Sequence, residues 1–341
     1  MQVLTILYNK KGMKHIQRVF TLMGLLLFSN LINGQVKIVF DTDFGGDADD
    51  LGALVMLHNL MDQGECELVG IAVWSTEQYV IPAIDATNRF YGHPAIPIGV
   101  RKDGTHRDTN NYSKPIADRF EHKLAYEDAM DAVVLYRKLL AESKDRSIVV
   151  VVVGPLKNIQ DLLESAPDRY SPLPGHLLIE QKVKEFVIMG GNFPNGEWEW
   201  NFSGNMPGVT KFVVDKLRVP VTFSGFELGV QIKTGAVFNQ IDPNTPLYVG
   251  FMHFSKHAPW IKEHFKGMIL DNSSFDQTAV LYAVRPACTA YWEKVKDGYC
   301  QANESGGNQW IQGEARNHSY LKLTMDPEEM ANLIESITLL K

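Results

Sequence analysis

The run Ser147 to Val153 (SIVVVVV) places six β-branched aliphatic residues in succession. A strand with one wet face alternates apolar and polar residues, so a strand without alternation must be covered on both faces. Two-sided cover is the normal state inside a parallel sheet, where crossover helices pack above and below. Other segments agree with that frame. Lys37 to Phe40 (KIVF), Leu68 to Trp74 (LVGIAVW), Ile96 to Val100, Phe186 to Met189 and Val219 to Phe223 read as strands. Asp50 to Leu60, Pro82 to Tyr91, Ala125 to Ser143 and Leu156 to Ser165 have helical apolar spacing and fall between them. The alternation predicts an α/β fold: an open, mainly parallel, Rossmann-like sheet with helices on both faces. No internal repeat or low-complexity linker interrupts residues 36–341, which read as one domain.

The first 35 residues stand apart. They hold Lys10, Lys11, Lys14 and Arg18 and no acidic residue, then the apolar run Val19 to Phe28, then Ser29, Asn30, Asn33 and Gly34. Basic region, short apolar run and polar exit are the parts of a signal peptide. The run is shorter than the roughly 20 residues a spanning helix needs. The expectation is an exported protein, periplasmic or secreted, with residues 1–35 removed and no membrane attachment afterwards. The chain has 33 Lys+Arg against 40 Asp+Glu, a net charge of −7. Without the four leader cations 29 basic residues face 40 acidic ones, a net of −11. With no basic block, that balance excludes nucleic acid as a partner. Three cysteines, Cys66, Cys288 and Cys300, cannot staple 341 residues; Cys288 and Cys300 are the two that could pair. The ten histidines lack metal-ligand spacing, and His253 and His257 are expected on a helix surface. The polar Asp103 to Pro115 stretch is a candidate lid.

Between the first strand and its helix lies Asp41-Thr42-Asp43-Phe44-Gly45-Gly46-Asp47-Ala48-Asp49-Asp50, five carboxylates in ten residues. Their repulsion disfavours the loop unless a cation sits among them. Oxygen donors without Cys or His select a hard ion, Ca2+ or Mg2+. The loop follows a parallel strand, and open sheets bind ligands beyond the carboxyl ends of their strands. Asp49 and Asp50 also suit the positive end of the helix dipole. An EF-hand is rejected: Gly45 and Gly52 stand where it needs ligands, and a strand precedes the loop. A phosphatase of the haloacid dehalogenase type also opens with Asp-x-Asp after a strand. It expects Thr or Val where Gly45 stands, and is kept as a minor alternative.

Four motifs in order make the chain similar to the inosine/uridine-preferring nucleoside hydrolase family over most of residues 36–341. The acidic loop matches the family's Asp-x-Asp-Pro-Gly-x-Asp-Asp, with Phe44 for Pro and two extra residues, Asp47 falling in the insertion. Val153-Gly154-Pro155-Leu156-Lys157-Asn158-Ile159 is similar to Gly-Pro-Leu-Thr-Asn-Ile. Met189-Gly190-Gly191 and Glu199-Trp200-Asn201 match Met-Gly-Gly and Glu-Phe-Asn. Ser274-Phe275-Asp276-Gln277-Thr278-Ala279 matches the late segment with a metal-binding Asp.

The resemblance implies the nucleoside hydrolase fold and a Ca2+-dependent N-ribohydrolase that splits nucleosides into ribose and free base. It implies Asp43, Asp50, Asp276 and the carbonyl of Val153 as Ca2+ ligands. Asp43 would also take a proton from the attacking water. Asp49 would accept a hydrogen bond from a ribose hydroxyl; Asn192 or Asn195, Glu199 and Asn201 would hold the other hydroxyls; Met189 would pack on the sugar. One branch of the family has a His where Phe275 stands, which excludes His-based acid catalysis there. Another stacks the base on Trp, and Phe275 suits stacking, which inclines the expectation to purines. The family's Gly-Asn after the second strand is replaced by Trp74-Ser75-Thr76-Glu77, with Glu77 a candidate polar substitute and Trp74 either core or a second stacking face. The implied partners are a nucleoside and further copies of the chain, as a dimer or tetramer. The rivals are a hydrolase of another ribosyl compound and a non-catalytic Ca2+- or sugar-binding module. Convergence of Asp276 on the acidic loop is the feature that the hydrolase reading requires.

Overall fold

Successive residues of the Val-rich run enter opposite halves of the core. Ile148, Val150 and Val152 join one apolar cluster, and Val149, Val151 and Val153 the other. All six are essentially buried, and each such side chain contributes about 1.5–3 kcal/mol of burial. The computed structural model describes residues 35–104, 111–314 and 316–340. The expected leader, apart from Gln35, and residues 105–110 of the candidate lid lie outside the described residues.

The strands are β1 (Val36–Thr42), β2 (Cys66–Val73), β3 (Ile98–Val100), β4 (Met130–Asp131), β5 (Ile148–Val152), β6 (Val183–Met189), β7 (Asn195–Gly196), β8 (Val221–Ser224), β9 (Lys233–Thr234), β10 (Asn272–Ser273), β11 (Trp292–Val295), β12 (Gly298–Ala302), β13 (Asn308–Gln312) and β14 (His318–Leu323). Nine of them form one open sheet in the order β11-β14-β8-β6-β5-β1-β2-β3-β4. Every neighbouring pair is parallel except β11 with β14. The two apolar clusters lie on its two faces. One holds Leu51 to Leu60, Phe251, Phe254 and Leu281; the other holds Tyr136, Ile159, Leu162 and Val213. This is the expected α/β architecture.

The chain steps from β1 outward through β2, β3 and β4, and from β5 outward through β6, β8 and β14. The strand order therefore reverses between β1 and β5, and a crevice opens beyond their carboxyl ends. Two expectations change. Ala125 to Ser143 is not one helix: β4 interrupts it, and the helix begins at Ala132 because the Asp131 carboxylate caps it, accepting from the N–H groups of Val133 (2.9 Å) and Val134 (3.2 Å). The C-terminal strands β11 to β14 add to the strands read from sequence. Cys66, Cys288 and Cys300 are free thiols, so Cys288 and Cys300 do not pair. No helix among the described residues is long and apolar enough to cross a membrane.

Candidate active site

The switch point fixes where the chemistry-bearing residues emerge. Asp43 is the first residue beyond β1, Val153 the first beyond β5, and Met189 ends β6. Asp49 and Asp50 open the helix Asp49–Asp62, and Asp276 lies in the first turn of the helix Phe275–Val284. Between β1 and its helix the chain is anchored by Phe44, which is buried and meets Tyr112 edge-on at 5.0 Å. Thr42 Oγ1 accepts the Phe44 N–H (3.1 Å) and donates to Asp50 Oδ1. Gly45 has φ +125°, and an added Cβ would lie 3.0 Å from Ser113 Oγ and 3.2 Å from Asn111 Oδ1. Glycine is thus required where the loop turns against the Asn111–Ser113 segment.

Asp49, Asp50 and Asp276 converge. One carboxylate oxygen from each lies within 4.8 Å of the others, and all three residues are buried. The Asp276 N–H donates to Asp49 Oδ2 at 3.3 Å. Desolvation first, and neighbouring carboxylates second, hold Asp49 and Asp276 well above the usual carboxylate range. Asp47 joins them from the insertion: it accepts from the Asn272 side chain and the Asp49 N–H, and burial pushes it to about 6. Like charges this close repel by an order of 3 kcal/mol per pair at an effective dielectric of about 20. Asp276 Oδ2 is buried without a hydrogen-bond partner. Buried, mutually repelling, oxygen-only donors with one oxygen unsatisfied fit a hard divalent cation.

A short capped turn holds the neighbouring groups. Glu199 caps the helix Trp200–Ser203: Oε1 accepts from the Asn201 N–H (3.0 Å), and Oε2 from the N–H groups of Phe202 (3.0 Å) and Gly191 (2.9 Å). Burial raises its pKa and those three donors oppose the rise. From this turn Trp200 Nε1–H reaches Asp43 Oδ2 at 3.0 Å. Asn201 Nδ2 donates to the Val153 carbonyl (2.9 Å) and to Met189 O (3.2 Å) and Sδ (3.1 Å), while its buried Oδ1 has no partner.

These groups face one cavity of about 840 Å³. Asp43, Asp49, Asp50, Val153 and Asp276 line it, and so do Met189, Asn192, Glu199, Asn201 and Phe275. Asn195 does not: it is exposed on β7, opposite Gln309 of β13. Phe275 stacks on Phe226 with centroids 5.0 Å apart and rings 23° from parallel. Trp74 is core, fully buried beneath the Arg101 guanidinium (4.4 Å), and neither it nor Glu77 lines the cavity. Glu77 accepts instead from the Tyr79 N–H at 2.9 Å. His253 and His257 lie on the helix Pro246–His257, and neither lines the cavity.

Sequence reasoning passed over the roles of five residues. Trp198 and Trp260 rim the cavity at 56% and 55% exposure, with no motif to announce them. Asp271 and Lys233 also line it, the Lys233 Nζ donating to Ser273 Oγ at 2.8 Å. Asp41, counted with the loop, lies inside β1 between Ala72 and Val152. Its carboxylate accepts from Tyr136 Oη (2.8 Å) and Asn158 Nδ2 (3.1 Å), and burial outweighs both donors, pushing it to about 7. A clue existed: Asp41 continues the apolar KIVF strand, where a carboxylate demands buried donors.

A profile of the family described as inosine-uridine preferring nucleoside hydrolase matches residues 38–319. Among solved structures, a plant nucleoside hydrolase (PpNRh1) superposes with a TM-score of 0.65 at 14% identity, over 89% of this chain and 99% of that one. The type III effector protein XopQ, complexed with adenosine diphosphate ribose, gives 0.61 at 13% identity, over 90% and 93%. An inosine-uridine preferring nucleoside hydrolase from Bacillus anthracis gives 0.60 at 14%, over 89% and 99%. At these identities the superpositions establish the fold. A search of curated proteins found no match.

Proposed function

The chain belongs to the inosine-uridine preferring nucleoside hydrolase family, hydrolases acting on N-glycosyl compounds, and from that premise we propose that it cleaves ribonucleosides to ribose and free base with a bound Ca2+. The observation that carries this reading is the convergence of Asp49, Asp50 and Asp276 within 4.8 Å beside Asp43 in one cavity. Asp43, Asp50, Asp276 and the Val153 carbonyl are the groups that would hold the ion, with Asp49, in the same cluster as Asp50 and Asp276, to accept a hydrogen bond from a ribose hydroxyl. When bound, Ca2+ supplies positive charge that grips the sugar's hydroxyls and lowers the pKa of water.

The chain's own residues do the rest. Asp43 receives the proton of the attacking water. The C1′–N bond breaks through an oxocarbenium-like state, its electron pair leaving with the base. Asn201 Oδ1, buried and unpartnered, accepts from a ribose hydroxyl; Met189 packs against the ring. Glu199 acts on the sugar side mainly by holding the turn that carries Asn201. The face of Phe275 stacks on the leaving base, which supports a lean to purines. The basic, apolar and polar order of residues 1–35 supports export as part of the same proposal.

The test is release of ribose from inosine, adenosine, uridine and cytidine, with and without EDTA. Metal-dependent release that disappears in Asp43→Ala is expected. No release from any nucleoside while Ca2+ still binds would overturn it. The exposed Trp198 and Trp260 at the cavity mouth favour one second reading, a longer ribosyl compound as substrate. Hydrolysis of adenosine diphosphate ribose without hydrolysis of nucleosides would select it.

A further inference from the structure

Trp200 stands where the matching Glu-Phe-Asn motif has Phe. Both side chains fill apolar space, but only the indole brings an N–H donor. That donor is spent on Asp43 Oδ2, 3.0 Å away and 157 residues distant in sequence. The indole is itself fixed. Its backbone begins the turn that Glu199 caps, and its ring stands edge-on to Trp74, with centroids 6.5 Å apart at 83°. Trp74 in turn lies under the buried Arg101 guanidinium at 4.4 Å.

Gly154 also approaches Asp43 closely. A Cβ added at Gly154 would lie 2.8 Å from the Asp43 backbone N, 3.0 Å from its Cβ and 3.1 Å from Oδ1. The indole thus holds Oδ2 while the Gly154 backbone passes close to the residue, leaving no room there for a side chain.

We propose that Trp200 is a positioning residue: its indole N–H fixes the rotation of the Asp43 carboxylate in the cavity it shares with the acidic cluster. Asp43 is thereby kept as the group that takes the water's proton. This rests on the hydrolase reading above. The neighbouring Asn201 does the same for the Val153 carbonyl, so one capped turn sets groups from the ends of both β1 and β5.

Two measurements test it on the full chain. The first is kinetic. Trp200→Phe keeps the ring and removes the donor, and is expected to lower kcat roughly tenfold or more, the scale of a hydrogen bond to a charged group. KM and Ca2+ affinity should change less than about threefold, which also shows that the fold is intact. The second is spectroscopic. In protein labelled with nitrogen-enriched Trp, six indole N–H signals are expected, and Trp200→Phe identifies the one from Trp200. Asp43→Ala should move that signal upfield, with or without Ca2+. An unmoved signal, an unchanged kcat, or a loss of Ca2+ affinity as large as the loss of kcat would each overturn the proposal. A wild-type chain that releases no ribose overturns the hydrolase reading and this proposal with it; an active wild type matched by Trp200→Phe overturns this proposal alone.

Discussion

The backbone N–H of Asp276 points at Oδ2 of Asp49 across 3.3 Å, although 227 residues separate them. The first turn of a late helix thus meets the first turn of an early one, and both aim their positive ends at the same carboxylates. Two such ends soften the repulsion among Asp49, Asp50 and Asp276 without cancelling it. What remains is the driving force for a cation.

That balance sets the effect of metal on stability. Free Ca2+ at about a hundred times its Kd should add about 2.7 kcal/mol to the folded state, a rise of several degrees in melting temperature. Asp276→Asn should abolish most of that rise. It should also melt higher than wild type in EDTA, because it removes one of the repelling charges. Differential scanning calorimetry with and without EDTA reads both effects, and a lower melting point for the metal-free variant would contradict the repulsion argument.

Asp43→Ala should reduce ribose release by about a hundredfold or more, the usual loss for a general base. Initial rates on inosine and uridine, with Ca2+ saturation checked independently, measure it. A loss below about tenfold would remove Asp43 from proton transfer.

Phe275→Ala should lower kcat/KM for purine nucleosides by about three- to tenfold, the range for an aromatic contact, and for pyrimidine nucleosides by less. Equal losses for both classes would mean that Phe275 serves only to pack against Phe226.

Glu227 gives a pH signature away from the acidic cluster. Its Oε2 accepts the Phe193 N–H at 2.8 Å, its Oε1 is buried without a partner, and burial pushes its pKa to about 7. A carboxyl raised on folding binds more protons in the folded chain, so its contribution is complete below the unfolded value near 4.5 and is lost as pH rises through about 7. The loss is at most about 3 kcal/mol. Glu227→Gln, which cannot ionise, should flatten that part of the stability profile between about pH 5 and pH 8. Urea titrations across this range check it; identical slopes for variant and wild type would show that Glu227 does not titrate there.

The fold's centre was readable because burial there leaves a compositional mark. Ile148–Val152 cannot alternate when both faces are covered, and the acidic loop cannot be mistaken for a solvated turn at such density. Later segments leave weaker marks. Strands such as Gly298–Ala302 and Asn308–Gln312 mix polar and apolar residues and expose Gln301 and Gln309, so no period stands out. The site was legible as a set of residues and much less as a set of contacts. Glu199 was read for its charge, yet its oxygens are taken up by three backbone N–H groups. Asn192 and Asn195 were indistinguishable in sequence; the turn between them sends one to the cavity and the other to solvent.

The strand reversal between β1 and β5 carries a consequence for how the protein comes into being. The groups that would hold the ion are scattered from Asp43 to Asp276, so a ribosome must release most of the chain before the last carboxylate exists. Until then Asp47, Asp49 and Asp50 are a bare acidic stretch with no competent site. An ion can be captured only when both halves of the sheet have closed on each other, which makes its retention a report on the completeness of folding.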